Sequence, residues 1–273
     1  MNYSRCLSSR SSDLLVLIAA CVILVPIGWI VLAAFKSNVD VFQLKLFFSP
    51  TLANFATILD PPYVIHHKLL NSAIVALVVV VVSIPIATLA AYSLSRFKLY
   101  GASFMLTAIL ATQFIPAVTI VLPFFLMFRS IGMLDTLLAL ILIHTSIVMP
   151  YAIWMIKGFI DGIPIETEEA ALVDGATRLQ VIRNIVLPMA APGVITASIF
   201  SFILSWNEFM FALVLTRRDA ITLPVGLALF NAETGVQWHL LAATSLIIMI
   251  PMIVLALLIQ RHFVQGMTMG AVR

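Results

Sequence analysis

The run Ser72-Ala73-Ile74-Val75-Ala76-Leu77-Val78-Val79-Val80-Val81-Val82 decides what kind of molecule this is. Consecutive valines make a poor helix in water, because each β-branched side chain loses χ1 freedom against the preceding turn. A bilayer core leaves the backbone no other partner for its polar groups, so there the helix wins. The apolar stretch continues to about residue 94, which supplies the roughly 20 residues a crossing needs. The rest of the 273-residue chain agrees: 62% is hydrophobic and 10% charged, with a mean hydropathy of +1.14. Soluble domains are nearer half apolar and about a quarter charged. These proportions exclude a soluble enzyme, a disordered regulator and a nucleic-acid reader, and leave an all-α integral membrane protein. The formal charge of +3 then suits basic loops beside anionic lipid.

Six runs are long and apolar enough to span, at about 14–35, 72–94, 103–128, 136–156, 194–216 and 240–259. The first follows Arg5 and Arg10 but is longer than a secretory h-region and lacks a small-x-small cleavage site, so a retained anchor is expected. Pro26, Pro85, Pro116, Pro123 and Pro251 interrupt spans, and each is expected to kink its helix. With a cytoplasmic N-terminus, nine Lys and Arg residues fall inside and six outside, which favours cytoplasmic termini. Cys6 lies in a polar tail and Cys21 in an apolar run, so no disulfide is expected. Without a repeat or linker, the chain reads as one membrane domain over 1–273.

The long inside loop, about 157–193, carries most information. In Ile163-Pro164-Ile165-Glu166-Thr167-Glu168-Glu169-Ala170-Ala171-Leu172-Val173-Asp174-Gly175, Pro164 opens a helix and acids crowd its first turn. Gly175 suits a left-handed C-terminal position. Thr177 and Gln180 then fit a capping box for a second helix, with Leu179, Ile182 and Val186 on one face, expected to stop near Pro188. Such a hairpin of small residues fits a groove on a partner, with Glu168, Glu169 and Asp174 as acceptors for basic groups. The competing reading is an amphipathic helix on the membrane surface, which more often carries Lys and Arg.

Glu169-Ala170-Ala171, three residues, Gly175, nine residues, Ile185, one residue and Leu187-Pro188 resemble the EAA loop of ABC importer membrane subunits. Ser205-Trp206-Asn207-Glu208-Phe209, Thr222-Leu223-Pro224-Val225-Gly226-Leu227 and the ending Gln260 to Val272 resemble the maltose-type carbohydrate permeases, with Met267 and Met269 as departures from the usual tail. The resemblance implies the type I ABC importer permease fold with six transmembrane helices. It implies a coupling helix seated in an ATPase groove through Glu168, Glu169, Ala170, Ala171, Asp174 and Gly175, and tail contacts from Gly266, Thr268 and Gly270. It further implies a second, related permease, two ATP-binding subunits holding ATP and Mg, an extracytoplasmic solute-binding protein, and a bacterial or archaeal cytoplasmic membrane.

The chain has no Gly-Lys-Ser/Thr phosphate loop, so it does not itself cradle ATP, and no His-Glu-x-x-His zinc pair. It is expected to be non-catalytic, with no cofactor or metal of its own. Ionisable groups inside spans are few and costly, which singles out Glu208 and His144. Trp206, Asn207 and Glu208 together suit a sugar, the ring covering C–H faces and the polar groups bonding hydroxyls. The competing reading, which is preferred, is that Trp206 packs against lipid or another helix and Glu208 pairs with a cation near the span boundary. On one continuous helix, residues 206, 209, 210 and 213 share a face. Gln113 and His144 either line a pathway or bond between helices. A stand-alone secondary transporter or channel is the alternative function, though inverted repeats and coupling charges are not evident. A membrane hydrolase would have to use Ser205 and His144.

Overall fold

The computed structural model describes the backbone of residues 3–97, 100–232 and 235–270, and their side chains apart from residues 3–12, 231–232 and 258–270. The described helices are α1 (Tyr3–Ala34), α2 (Asn38–Phe42), α3 (Ala53–Leu59), α4 (Ile65–Arg96), α5 (Ala102–Ala111), α6 (Ala117–Ser130), α7 (Leu137–Asp161), α8 (Ile165–Val173), α9 (Arg178–Val181), α10 (Leu187–Trp206), α11 (Met210–Leu215), α12 (Leu223–Leu227) and α13 (Trp238–Gly270). Strands β1 (Asn231–Ala232) and β2 (Gly235–Val236) pair antiparallel. Among the described residues five stretches are long and apolar enough to cross a bilayer, and a bent pair of helices makes a sixth. The valine-rich run lies inside α4, as lipid solvation predicts.

Two sequence expectations are corrected. The third span, expected to be continuous over 103–128, is broken. A 3-10 turn at Thr112–Phe114 ends α5, Pro116 opens α6, and the two halves are bent by 95°. The cause is local: the proline ring disfavours helical geometry at the preceding residue, and Ile115 is accordingly extended (φ −76°, ψ 120°). Pro26, Pro85, Pro123 and Pro251, by contrast, sit inside continuous helices, so Pro116 alone of the five carries a break.

The fifth span is displaced. The helix expected to stop near Pro188 instead continues from α9 through a π turn (Ile182–Val186) into α10, and ends at Trp206. Pro188 would push against the carbonyl of Asn184 in a regular helix. The wider π turn immediately before it removes that conflict. At the other end, Asn207 closes α10, and a short break separates it from α11. Residues 206, 209, 210 and 213 therefore do not share one helical face.

The chain divides into two compact units, residues 1–66 with 226–251, and residues 67–225 with 252–273. In the first, Asn54 ties down the end of α1 by donating to the carbonyls of Ala34 and Lys36, both at 2.8 Å. The buried Lys36 ammonium lies 4.1 Å from the Trp29 ring centre and 4.9 Å from that of Phe48. Tyr63 packs at a tilt against Phe230, with ring centres 4.9 Å apart, and donates to Gln237 on the other side of the β1–β2 hairpin.

The second unit has two apolar cores. One joins α4, α7, α9 and α10 through Ala87, Ala91, Ile156, Ile160, Val181 and Ala190. The other joins α4, α6, α7 and α11 through Val79, Phe128, Leu140, Ile143, Phe211 and Leu215. Small residues let α10 lie close against α7. At Gly193 an added Cβ would run into the Phe159 ring, so any larger residue would force the two helices or that ring to shift.

Candidate functional site

The loop between α7 and α10 is a hairpin of helices, as its sequence signals require. Pro164 precedes the first residue of α8, and Glu166 and Glu168 occupy its first turn. Gly175 has φ +89°, a conformation that strains any residue with a Cβ. Both reciprocal bonds of the capping box form between Thr177 and Gln180 and start α9. Glu169, Ala170, Val173, Asp174 and Gly175 are exposed, and Ala171 is half-buried. Leu179, expected on the apolar face of α9 with Ile182 and Val186, is exposed, whereas Val186 is buried.

Glu168 departs from the expectation that it faces a partner. It is 3% exposed, and its carboxylate is consumed within the chain. Arg96 Nε donates to Glu168 Oε1 at 2.7 Å, and Tyr92 Oη donates to Oε2 at 3.0 Å. Arg96 also donates through Nη2 to the carbonyls of Ile160 (2.9 Å) and Ile163 (3.0 Å), and through Nη1 to Ser95 Oγ (2.9 Å). Ser95 in turn donates to Asp161, which pairs with Lys157 at 2.6 Å. The helix register explains the difference within the acidic run: Glu168 points at the ends of α4 and α7, while its neighbour Glu169 is turned to solvent. The sequence showed three acids in α8 and gave no sign that Tyr92 and Arg96 would take one of them.

The residues singled out in the spans come together differently from the sugar-binding arrangement. Trp206 is 1% exposed and stacks on Phe202, with ring centres 5.5 Å apart. Its ring is packed and does not offer a face to a sugar. Asn207 is exposed, but its amide donates to the Ile203 carbonyl at 2.9 Å and closes α10. Glu208 accepts from the backbone N–H groups of Phe211 (2.8 Å) and Ala212 (3.0 Å), which caps α11. Its Oε2 also lies 3.3 Å from His144 Nε2, out of hydrogen-bond alignment. His144 Nδ1 is 2.9 Å from Ser205 Oγ. Ser205, His144 and Glu208 thus form a row, but Ser205 and His144 are both buried, and Glu208 is occupied by backbone amides. The row works as a strut joining α7 to the α10–α11 break. Gln113 likewise bonds between helices, donating to the Ile147 carbonyl at 3.3 Å.

At the far end of α7 a carboxylate goes unmarked by the sequence reading. Asp135, with φ +57°, accepts from the backbone N–H groups of Arg217, Arg218, Asp219 and Ala220 at 3.0–3.2 Å. Burial pushes the Asp135 carboxyl up, but these four amides outweigh burial and hold it below the usual range. Asn71 donates to the carbonyls of Asp219 and Ile221, and Ser72 accepts from Leu223 N–H, so the same turn is tied to the start of α4. The hint available in sequence was an aspartate after Gly132-Met133-Leu134, a residue type that tolerates left-handed geometry.

The architecture and the hairpin define a class: a multi-pass helical membrane protein that presents a small-residue loop on a buried, charge-paired base. The chain belongs to the family of binding-protein-dependent transport system inner membrane components, whose model matches residues 83–269. It is similar to the "Probable ABC transporter permease protein y4oR" of Sinorhizobium fredii (36% identical, covering 94% of this chain and 92% of that one). The sulfoquinovosyl glycerol transport system permease protein SmoH of Agrobacterium fabrum is 34% identical over the same shares. The trehalose/maltose transport system permease protein MalG of Thermococcus litoralis is 32% identical, covering 94% of each chain. Among solved structures, a chain of a bacterial ABC transporter involved in import of the acidic polysaccharide alginate superposes with a TM-score of 0.79 at 24% identity, covering 96% of this chain and 99% of that one. The fold is therefore that of ABC importer permeases. The tail residues Gly266, Thr268 and Gly270 lie outside the residues whose side chains are described.

Proposed function

We propose that this chain is one of two related, non-identical permease subunits in an ATP-driven importer for a carbohydrate, an oligosaccharide or a related polyol. An extracytoplasmic solute-binding protein delivers the cargo. Two ATP-binding subunits hold ATP and Mg and carry out hydrolysis, while this chain supplies part of the pathway. Both termini lie on the cytoplasmic side.

The observation that carries this reading is the hairpin: the exposed surface of Glu169, Ala170, Asp174 and Gly175 stands on a buried, charge-tied base. Small side chains allow close approach of a groove wall, and the exposed acids offer acceptors to basic groups at its rim. Closure of the ATPases would draw two such hairpins together and reorient the bundle as a rigid body, driven by the partner's different contacts in its two states. The carbohydrate class is supported by relatives named for trehalose/maltose and sulfoquinovosyl glycerol transport.

Affinity purification of the tagged full chain, co-expressed with its ATPase and partner permease, should recover the ATPase in stoichiometric yield. The solute-binding protein that serves this permease should be titrated with trehalose, maltose and sulfoquinovosyl glycerol, and should bind a member of this group. Cargo movement by the purified chain alone in vesicles, with no nucleotide-hydrolysing partner, would overturn the proposal.

A further inference from the structure

We infer that Arg96 is a positioning residue that makes the α8 hairpin one rigid body with α4 and α7. This inference rests on the hairpin being the element the ATPase moves. Only Gly162, Ile163 and Pro164 connect α7 to α8. A three-residue connection has several soft dihedrals, and a load applied at the exposed face of α8 would bend it there. Arg96 closes that joint from the side. Its Nη2 holds two carbonyls at the joint, that of Ile160 in the last turn of α7 and that of Ile163 within the connection. Its Nε holds the Glu168 carboxylate inside α8.

The geometry calls for arginine. One guanidinium reaches two carbonyls, a carboxylate and the Ser95 hydroxyl in a single plane of donors, and an ammonium on a flexible stem lacks that fork. The Ile160 carbonyl already accepts from the Ile163 N–H at 3.0 Å, and Arg96 Nη2 adds a second donor to it, so the last turn of α7 and the connection share one hydrogen-bond cluster. Tyr92, one turn earlier on α4, bonds the other carboxylate oxygen, so Glu168 cannot swing away from a single contact. Burial adds stiffness: the Arg96 and Glu168 side chains are 7% and 5% exposed, so little water competes. The Arg178 guanidinium, at the start of α9, lies 5.2 Å from the ring centre of Phe97, which follows Arg96. Both arms of the hairpin are thereby tied to the end of α4.

The test uses the complete complex with its partner permease and ATPases, in a Cys6→Ser, Cys21→Ser background. Spin labels are placed at Glu166→Cys on α8 and Leu138→Cys at the far end of α7. Distances between them are measured with and without Mg·AMP-PNP. In the parent, the distance should be narrow and unchanged by nucleotide, because α8 and α7 move together. In Arg96→Gln, the distribution should widen at least twofold and shift with nucleotide. Arg96→Lys should fall between. The double variant Arg96→Gln/Glu168→Gln leaves no buried charge unpaired and should widen as Arg96→Gln does, which separates loss of the joint from simple misfolding. A double variant with the parent's narrow, nucleotide-independent distance would overturn the inference. Failure of the ATPases to bind the parent complex would instead overturn the coupling role of the hairpin and leave the Arg96 joint to be judged on the nucleotide-free distances.

Discussion

Two carboxylates stand at opposite ends of α7, and they are satisfied in different ways. Glu168, beyond the C-terminal end, accepts from the side chains of Arg96 and Tyr92 on another helix. Asp135, just before the N-terminal end, accepts from four successive backbone amides. The first arrangement attaches a helix by one face and leaves its other face exposed. The second wraps a turn around a single side chain and fixes the turn's own conformation. A helix of 25 residues spans about 37 Å, so the two devices are separated by about the thickness of a bilayer. The end with side-chain ties offers an attached lever, and the end with backbone ties offers a shaped, static loop.

The two faces of α8 differ most at Glu168. Glu168→Ala would leave the Arg96 guanidinium buried without its anion, and breaking a buried pair costs about 3–5 kcal/mol. Thermal unfolding in detergent should show that loss. Glu169→Ala, on the exposed side of the same helix, should leave the unfolding temperature near that of the parent. Equal effects at both positions would erase the distinction between the two faces of α8.

Asp135→Ala comes next, with an expected loss of about 1–3 kcal/mol for amides left without their acceptor. Its signature is local and pH-dependent. The folded-state carboxyl is held below the usual aspartate range, so its contribution is present above that range and is lost as the pH falls through the lower, folded value. Hydrogen-exchange protection of residues 217–220 should hold at neutral pH and fade only below about pH 4. Protection that survives in Asp135→Ala would show that Asn71 and Ser72 suffice to hold the turn.

The smallest effect on folding, and the sharpest on partner binding, is expected at Gly175. A Cβ there meets no atom of this chain within 4 Å, so the cost is the strain of φ +89°, about 1–2 kcal/mol. Gly175→Asp should insert and fold, yet recover far less ATPase on purification. Full recovery would detach the turn from the coupling role.

Local signals account for what the chain reveals unaided. The valine run and its companion stretches announce membrane helices because apolar length is a property of contiguous residues. The glycine turn at 175 and the Thr177 capping box are legible for the same reason, since cap and partner lie three residues apart. Pro116 announced an interruption, but a kink and a 95° break look alike in one dimension. The row from Ser205 through His144 to Glu208 needed α7 brought against the end of α10, and His144 is 61 or more residues from its two partners. The fate of Glu168 and Asp135 lies furthest from view. Their donors stand 72 and 76 residues away for Glu168 and 82–85 away for Asp135, so which acid turns inward depends on how helices pack and not on the neighbours each acid has in the chain.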